Sequence, residues 1–420
     1  MDHPTRTDEL RELGRLTFAE LARGVSGIGD IHGAIATRVF DRASSQRSPS
    51  RLMHDAIAGA VYRGISSGTA SVGLAAAGAL ALRGTREQRP LSPTPIGGGL
   101  IGVINGLVGD ELERQKSVLQ EPISIRVNGR IVPCEPAAIA QSFPRASRRI
   151  VIFVHGLMGT EFPWSWFATE PGETYGSRLE RDLGLTPVYI RYNTGRHISE
   201  NGRSLAELLE ELVRAWPVEV DEVAMIGHSM GGLVARSACY QASEDGLAWV
   251  RQVAHSISLG TPHMGAPLAQ AVHYAAASLY ALPETRPVAG LLRRRSAGIR
   301  DLRYGSLVDA DWRDCGPDAL RARACQEVPL LEGATHCFVA ATLMRSEHHP
   351  VSRLLGDVLV LSPSASGRSR SRRIPFEAEY GMHLGPANHL ALLNHPIVYE
   401  SLRGWLSTSP ARPGRSSGSR

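Results

Sequence analysis

A serine set between two glycines, Gly227-His-Ser-Met-Gly231, follows the apolar run Val223-Ala-Met-Ile226 and leads into a helix-compatible segment. This G-x-S-x-G spacing suits a nucleophile held on a sharp strand-to-helix turn, where a side chain at either glycine would strike the neighbouring strand or helix. Such a turn lifts the Ser229 hydroxyl clear of a sheet and aims a helix N-terminus at any oxyanion that forms. The chemistry implied is nucleophilic attack by serine on a carbonyl, which requires oxyanion donors, a general base and an orienting acid.

The chain offers each of these in a workable order. Upstream, Arg149-Ile-Val-Ile-Phe-Val154 reads as a buried parallel strand ended by His155-Gly156. The backbone N–H groups of Leu157 and Met230 are then the expected oxyanion donors, with His155 structural rather than catalytic. The general base should follow the last strand. His389, in Asn388-His-Leu-Ala-Leu-Leu-Asn-His-Pro396, follows a turn expected over 381–386 and opens an apolar run ending at Trp405-Leu406. His383 is the second choice, while His395, before Pro396, is expected to pack or cap. The acid is expected between Ser229 and His389, and Asp357, in Leu355-Gly-Asp-Val-Leu-Val360, is the candidate. A turn aspartate bonding its own backbone is the other reading of Asp357. The order Ser, Asp, His is the one expected of an α/β-hydrolase.

These motifs, with Leu259-Gly-Thr-Pro-His-Met-Gly-Ala-Pro267, make the stretch from about Arg149 to Leu406 resemble an α/β-hydrolase of the lipase and esterase type. Within that superfamily it is similar to GPI inositol-deacylase-like and bacterial triacylglycerol-lipase-like proteins. The resemblance implies a doubly wound, mostly parallel sheet and a Ser229–His389–Asp357 triad cleaving carboxylic esters of lipids or other hydrophobic acyl groups, with no metal or organic cofactor. One departure stands out: the family usually has Gly-Asp-Gly at the acid, whereas Val358 follows Asp357, and a β-branched residue resists positive φ. Two rival readings stay open, an acyltransferase using the same triad and a membrane-associated scaffold that keeps the fold without the activity.

The elements that must position these groups are legible in outline. Ile123 to Val132 alternates around Asn128-Gly129, a hairpin signal, so the catalytic domain is expected to span 121–406. Pro187-Val-Tyr-Ile-Arg-Tyr192 reads as a strand. Ser204 with Glu207 reads as a capping box opening a helix with apolar face Leu205, Leu208, Leu209, Leu212 and Trp216. Strand, helix, strand, elbow, helix is the doubly wound pattern. Residues 261–332 depart from it and are expected to form a cap containing a helix over 266–282. Phe162, Trp164, Trp166 and Phe167 line an acyl pocket or pack in the core.

Residues 1–120 read as a helical region in which apolar, glycine-rich runs over 70–82 and 96–108 form a packed hairpin or an interfacial membrane anchor. Each is too short to span a bilayer, which takes about 20 residues. Residues 407–420, rich in Ser, Gly, Pro and Arg, are expected to be a disordered tail.

Composition narrows the class only a little. The 420 residues are 43% hydrophobic, enough for a large core, and the net charge is +5 with basic residues spread among acidic ones. Lys116 is the sole lysine among 46 basic residues, and no nucleic-acid partner is expected. The arginine runs at 292–295 and 368–373 read as solvated loops, with attraction to an anionic membrane as the alternative. Five cysteines show no metal-ligand spacing. The polar start Met1-Asp-His-Pro is unlike a secretory signal, so a cytoplasmic protein with free thiols is expected.

Overall fold

A computed structural model describes residues 4–16, 90–168, 170, 172–266, 270, 295–314, 325–369 and 372–408. All but residues 266 and 270 of the expected helix over 266–282, the apolar run over 70–82, the basic run before Arg295 and the tail beyond residue 408 lie outside the described residues. The chain divides into two compact units: Met1–Leu91, Leu112–Gln120 and Ala271–Arg295 in the smaller, and Ser92–Glu111, Glu121–Gln270 and Ser296–Arg420 in the larger.

In the smaller unit residues 6–16 are helical. Glu12 pairs with Arg15 at 2.6 Å and accepts from the Ser117 hydroxyl at 2.9 Å, while Arg15 also donates to Gln115.

The larger unit is built on one eight-stranded sheet. Its elements begin with the helix α1 (Pro95–Arg114), kinked at Val108, whose last turn passes into the smaller unit. The segment 92–111, expected to belong to an N-terminal helical region, is therefore part of the larger unit. Strands β1 (Ser124–Val127) and β2 (Arg130–Val132) form the antiparallel hairpin expected around Asn128-Gly129. There follow β3 (Arg149–Val154), α2 (Tyr175–Leu183), β4 (Thr186–Arg191), α3 (Ile198–Ala215), β5 (Glu222–His228), α4 (Met230–Glu244) and β6 (Val253–Leu259). The chain closes with α5 (Ala297–Asp301), β7 (Thr335–Ala341), α6 (Pro350–Leu355), β8 (Gly381–Leu384) and α7 (Pro396–Leu406). Strand order is β2-β1-β4-β3-β5-β6-β7-β8, and every pair from β4 to β8 is parallel.

The runs that read as buried strands are buried. Ile150, Val151, Ile152, Phe153 and Val154 of β3 and Val223 to Ile226 of β5 are excluded from water, as a parallel sheet covered on both faces demands. One apolar layer carries Leu205, Leu209 and Leu212 of α3 with Leu233 and Val234 of α4. The other carries Leu179 of α2 with Val398, Leu402 and Leu406 of α7.

Two local expectations are corrected. Helix α3 starts at Ile198, six residues before Ser204, with the Glu200 side chain accepting from the His197 N–H at 3.3 Å. Within its polar first turns Gly202 fits against Ser237 of α4, where any Cβ would collide with the hydroxyl, so the two helices approach closely there. Residues 381–384, read as part of a turn, form β8: Met382 and its neighbours pair with β7 instead of reversing the chain.

Candidate active site

Ser229 sits between the end of β5 and the start of α4 with φ 55° and ψ −124°, outside the comfortable regions for a residue with a side chain. Close packing enforces this. A Cβ on Gly227 would strike the backbone of Gly231 and Gly232, and one on Gly231 would strike the carbonyls of Val154 and His155. The Ser229 N–H donates to the Leu259 carbonyl at 2.8 Å, tying the elbow to β6.

The opposing turn after β3 meets the elbow directly, for a Cβ on Gly156 would lie 2.9 Å from Ser229 Cβ. Leu157 and Met158 follow, Met158 with φ 59° and its N–H donating to Thr194 Oγ1 at 3.1 Å. Leu157 N–H and Met230 N–H have no acceptor among the described residues, and both flank this contact. His155, expected to be structural, is buried in this turn. Its Nδ1–H donates to the Gly156 carbonyl at 2.9 Å, its ring stacks on Tyr192 at 4.4 Å, and burial pushes its pKa down to about 4.

Asp357 and His389, 32 residues apart, come together. His389 Nδ1 lies 2.7 Å from Asp357 Oδ2, and the two residues are 4% and 1% exposed. A carboxylate only accepts, so the ring proton sits on Nδ1 and Nε2 is the basic nitrogen; that Nε2 is buried without a hydrogen-bond partner among the described residues. Asp357 Oδ1 accepts from the N–H groups of Leu359 at 3.0 Å and Val360 at 2.7 Å, and the His389 N–H donates to the Asp357 carbonyl at 3.0 Å. Asp357 is thus both the turn aspartate and the partner of the imidazole, because each oxygen serves one role. Val358 takes φ 90°, the conformation that its β-branch was expected to resist.

Glycine again permits the approach of the base to the elbow. Gly260, one residue after the carbonyl that holds Ser229, would bring a Cβ within 3.0 Å of His389 Cε1. His228, immediately before Ser229, donates from Nε2 to the His389 carbonyl at 3.2 Å, the two rings being 4.7 Å apart. Burial, then the neighbouring imidazole, pushes His228 down to about 3, so it is a neutral strut. Its role was missed, although its place beside Ser229 was the available signal. Asn394 adds a second strut unseen in sequence: its Nδ2 donates to the carbonyls of Trp164 and Trp166, and its Oδ1 accepts from the Tyr175 N–H.

The other candidates lie apart from this chemistry. His383 is exposed and bonds Thr342 at 2.9 Å, and His395 caps α7 by accepting from the Ile397 N–H. Trp164 is buried against Phe153, whereas Trp166 and Phe167 are exposed. Of the segment expected to form a cap, Gly298 of α5 lies against Thr194 and Met230 Cε. Among the described residues no cluster of metal-ligating side chains occurs, no helix is long and apolar enough to cross a membrane, and Cys134, Cys239, Cys325 and Cys337 are free.

Residues 145–303 match the model of the PGAP1-like alpha/beta domain. A triacylglycerol lipase of Burkholderia plantarii is 31% identical over 148 residues, 34% of this chain and 38% of that one, so the chain spans under two-fifths of that relative. Among solved structures, the mature lipase BlEst2 of Bacillus licheniformis is 18% identical, with 63% of this chain and 93% of that chain covered and a TM-score of 0.38. EstA from Clostridium botulinum is 13% identical, with 64% and 89% covered and a TM-score of 0.38. With its mostly parallel sheet, helices on both faces and elbow after β5, the larger unit has the α/β-hydrolase fold, and over part of its length it is similar to the PGAP1-like alpha/beta domain and to a triacylglycerol lipase.

Proposed function

We propose that this protein hydrolyses carboxylic esters of hydrophobic acyl groups through an acyl-enzyme on Ser229. The observation that carries the reading is the buried 2.7 Å contact between Asp357 and His389, which leaves Nε2 without a hydrogen-bond partner among the described residues on a ring 4.7 Å from that of His228, the residue before Ser229. In the proposed reaction His389 Nε2 takes the hydroxyl proton as Ser229 attacks the carbonyl carbon. Asp357 holds the Nδ1–H and offsets the positive charge of the imidazolium. The N–H groups of Leu157 and Met230 stabilise the tetrahedral oxyanion. His389 then gives its proton to the departing alkoxide, and water, deprotonated by the same nitrogen, attacks the acyl-enzyme to release the acid.

The preference for hydrophobic esters is supported by apolar groups around these loops: Trp166 at 47%, Phe167 at 61% and Leu390 at 42% exposure. The matched triacylglycerol lipase agrees with it. The test is hydrolysis of p-nitrophenyl esters from acetate to palmitate by native protein, Ser229→Ala, Asp357→Asn and His389→Ala. Loss in all three variants supports the reading, and an optimum at long chains supports the hydrophobic preference. Undiminished hydrolysis by Ser229→Ala would sink it.

A further inference from the structure

We infer that α1, which lies upstream of the sheet, is a positioning element for the oxyanion turn; the inference rests on the ester-hydrolase reading above. The glycines of α1 are not equivalent. Gly99 faces open space, whereas Gly102, Gly106 and Gly109 share one face of the helix and meet neighbours so closely that no side chain would fit. A Cβ on Gly102 would lie 2.9 Å from the Gly159 carbonyl oxygen and 3.0 Å from Thr160 Cγ2. One on Gly106 would overlap the Met158 side chain, with Met158 Cα at 3.1 Å, and one on Gly109 would overlap the Asn193 amide. Met158 to Thr160 are the residues directly after Leu157, so the helix backbone is the wall against which the first oxyanion donor is set.

The same helix reaches the segment over the second donor. Ser296 donates from Oγ to the Gly106 carbonyl at 2.6 Å, and the Ala297 N–H donates to Asp110 at 3.2 Å. These bonds hold the start of α5, whose Gly298 abuts Met230. A buried ion cluster beside the start of α1 fixes the end of the turn: fully buried Arg191, against which Gly98 of α1 lies, grips Glu161 through two contacts of 2.6 Å, and donates to Glu121 at 2.9 Å and to the Ser92 carbonyl at 2.8 Å. Glu161 directly follows Thr160. A turn packed against α1 from Met158 to Thr160 and tied by Arg191 at Glu161 has its amide direction set before substrate arrives, which is the condition for transition-state stabilisation by fixed dipoles.

The test compares Gly102→Ala and Gly106→Ala with Leu107→Ala, whose side chain is 44% exposed. It measures kcat and KM for a p-nitrophenyl ester, affinity for a trifluoromethyl ketone that forms a tetrahedral oxyanion adduct, and melting temperature. Ser296→Ala, which removes a hydrogen bond and adds no atoms, covers the case in which a glycine variant fails to fold. A displaced donor should lower kcat and ketone affinity together, by about 10- to 100-fold for the glycine variants and a few-fold for Ser296→Ala, with KM nearly unchanged and Leu107→Ala native-like. Folded variants that lose melting temperature alone, or raise KM with ketone affinity intact, would overturn the inference. An inactive native protein that binds no ketone would instead overturn the ester-hydrolase reading, and this inference with it.

Discussion

The elbow and the acid turn both place a non-glycine residue at positive φ, yet they hold it there in different ways. At the elbow Ser229, with φ 55°, is flanked by glycines at 227 and 231 that meet backbone and at 232 that meets the Thr261 side chain, each leaving no room for a Cβ. At the acid turn Gly356 is packed on the Val360 carbonyl, but Val358, with φ 90°, is 58% exposed and held by hydrogen bonds: its N–H donates to the Leu355 carbonyl at 2.9 Å and Asp357 N–H to the Val360 carbonyl at 3.1 Å. Packing imposes sequence, because only glycine fits. Hydrogen bonding through the backbone imposes geometry and leaves the side chain free, so strain can be carried there without a glycine.

The largest effect expected from this comparison is chemical. Asp357→Asn keeps the turn's acceptor but favours the wrong imidazole tautomer, and kcat should fall by about 10³- to 10⁴-fold with little change in melting temperature. A fall of less than tenfold in steady-state kinetics would mean that Asp357 serves the turn alone. Next is Gly231→Ala, whose added methyl meets two carbonyls; the native state should lose about 3 kcal/mol in urea unfolding, because backbone on both sides has nowhere to move. An unfolding midpoint like that of the native protein would show that the elbow is held no more tightly than the acid turn.

A smaller effect concerns pH. His155 and His336, each near 4, and His228, near 3, are depressed by burial below their unfolded value of 6.5. The unfolded chain therefore binds more protons than the native one between about pH 4 and 6.5. Stability should fall on acidification through that window, by about 1.4 kcal/mol per pH unit for each histidine while it is neutral in the native state and charged in the unfolded. Melting temperature between pH 7.5 and 4.5 checks this, and a flat profile would contradict the burial of these rings. His228 is at the elbow, His155 is in the turn that faces it, and none is at the acid turn.

The smallest effect is expected at Val358→Gly. Relief of positive-φ strain, about 1 kcal/mol, opposes the added freedom of glycine in the unfolded chain, about 0.5–1 kcal/mol. Melting temperature and kcat should both stay near native. A marked loss of either would show that the valine side chain is itself used.

The same contrast explains what the sequence disclosed. Ser229 was legible because steric demand writes glycines at fixed offsets, and β3 and β5 because burial on both faces excludes polar residues. Asp357 and His389 were legible by order and by the Gly-Asp turn, although their 2.7 Å contact needed the fold. The start of α3 was not legible, since Gly202 reads as a breaker until Ser237 is seen against it. Nor was the destination of α1: a glycine-rich apolar helix announces a close approach without saying to what, and the neighbour is the loop at Met158 to Thr160, far along the chain. Strand β8 was hidden because a short edge strand with one buried side chain resembles a turn.

The central claim is that Ser229 is activated by His389. The most direct measurement is the rate and site of labelling by a fluorophosphonate, read by intact-mass and peptide mass spectrometry on native protein and His389→Ala. One label per chain, on Ser229, with at least a hundredfold slower labelling of the variant, is the result this account predicts. Labelling elsewhere, no labelling of the native protein, or equal rates in the two proteins would contradict it.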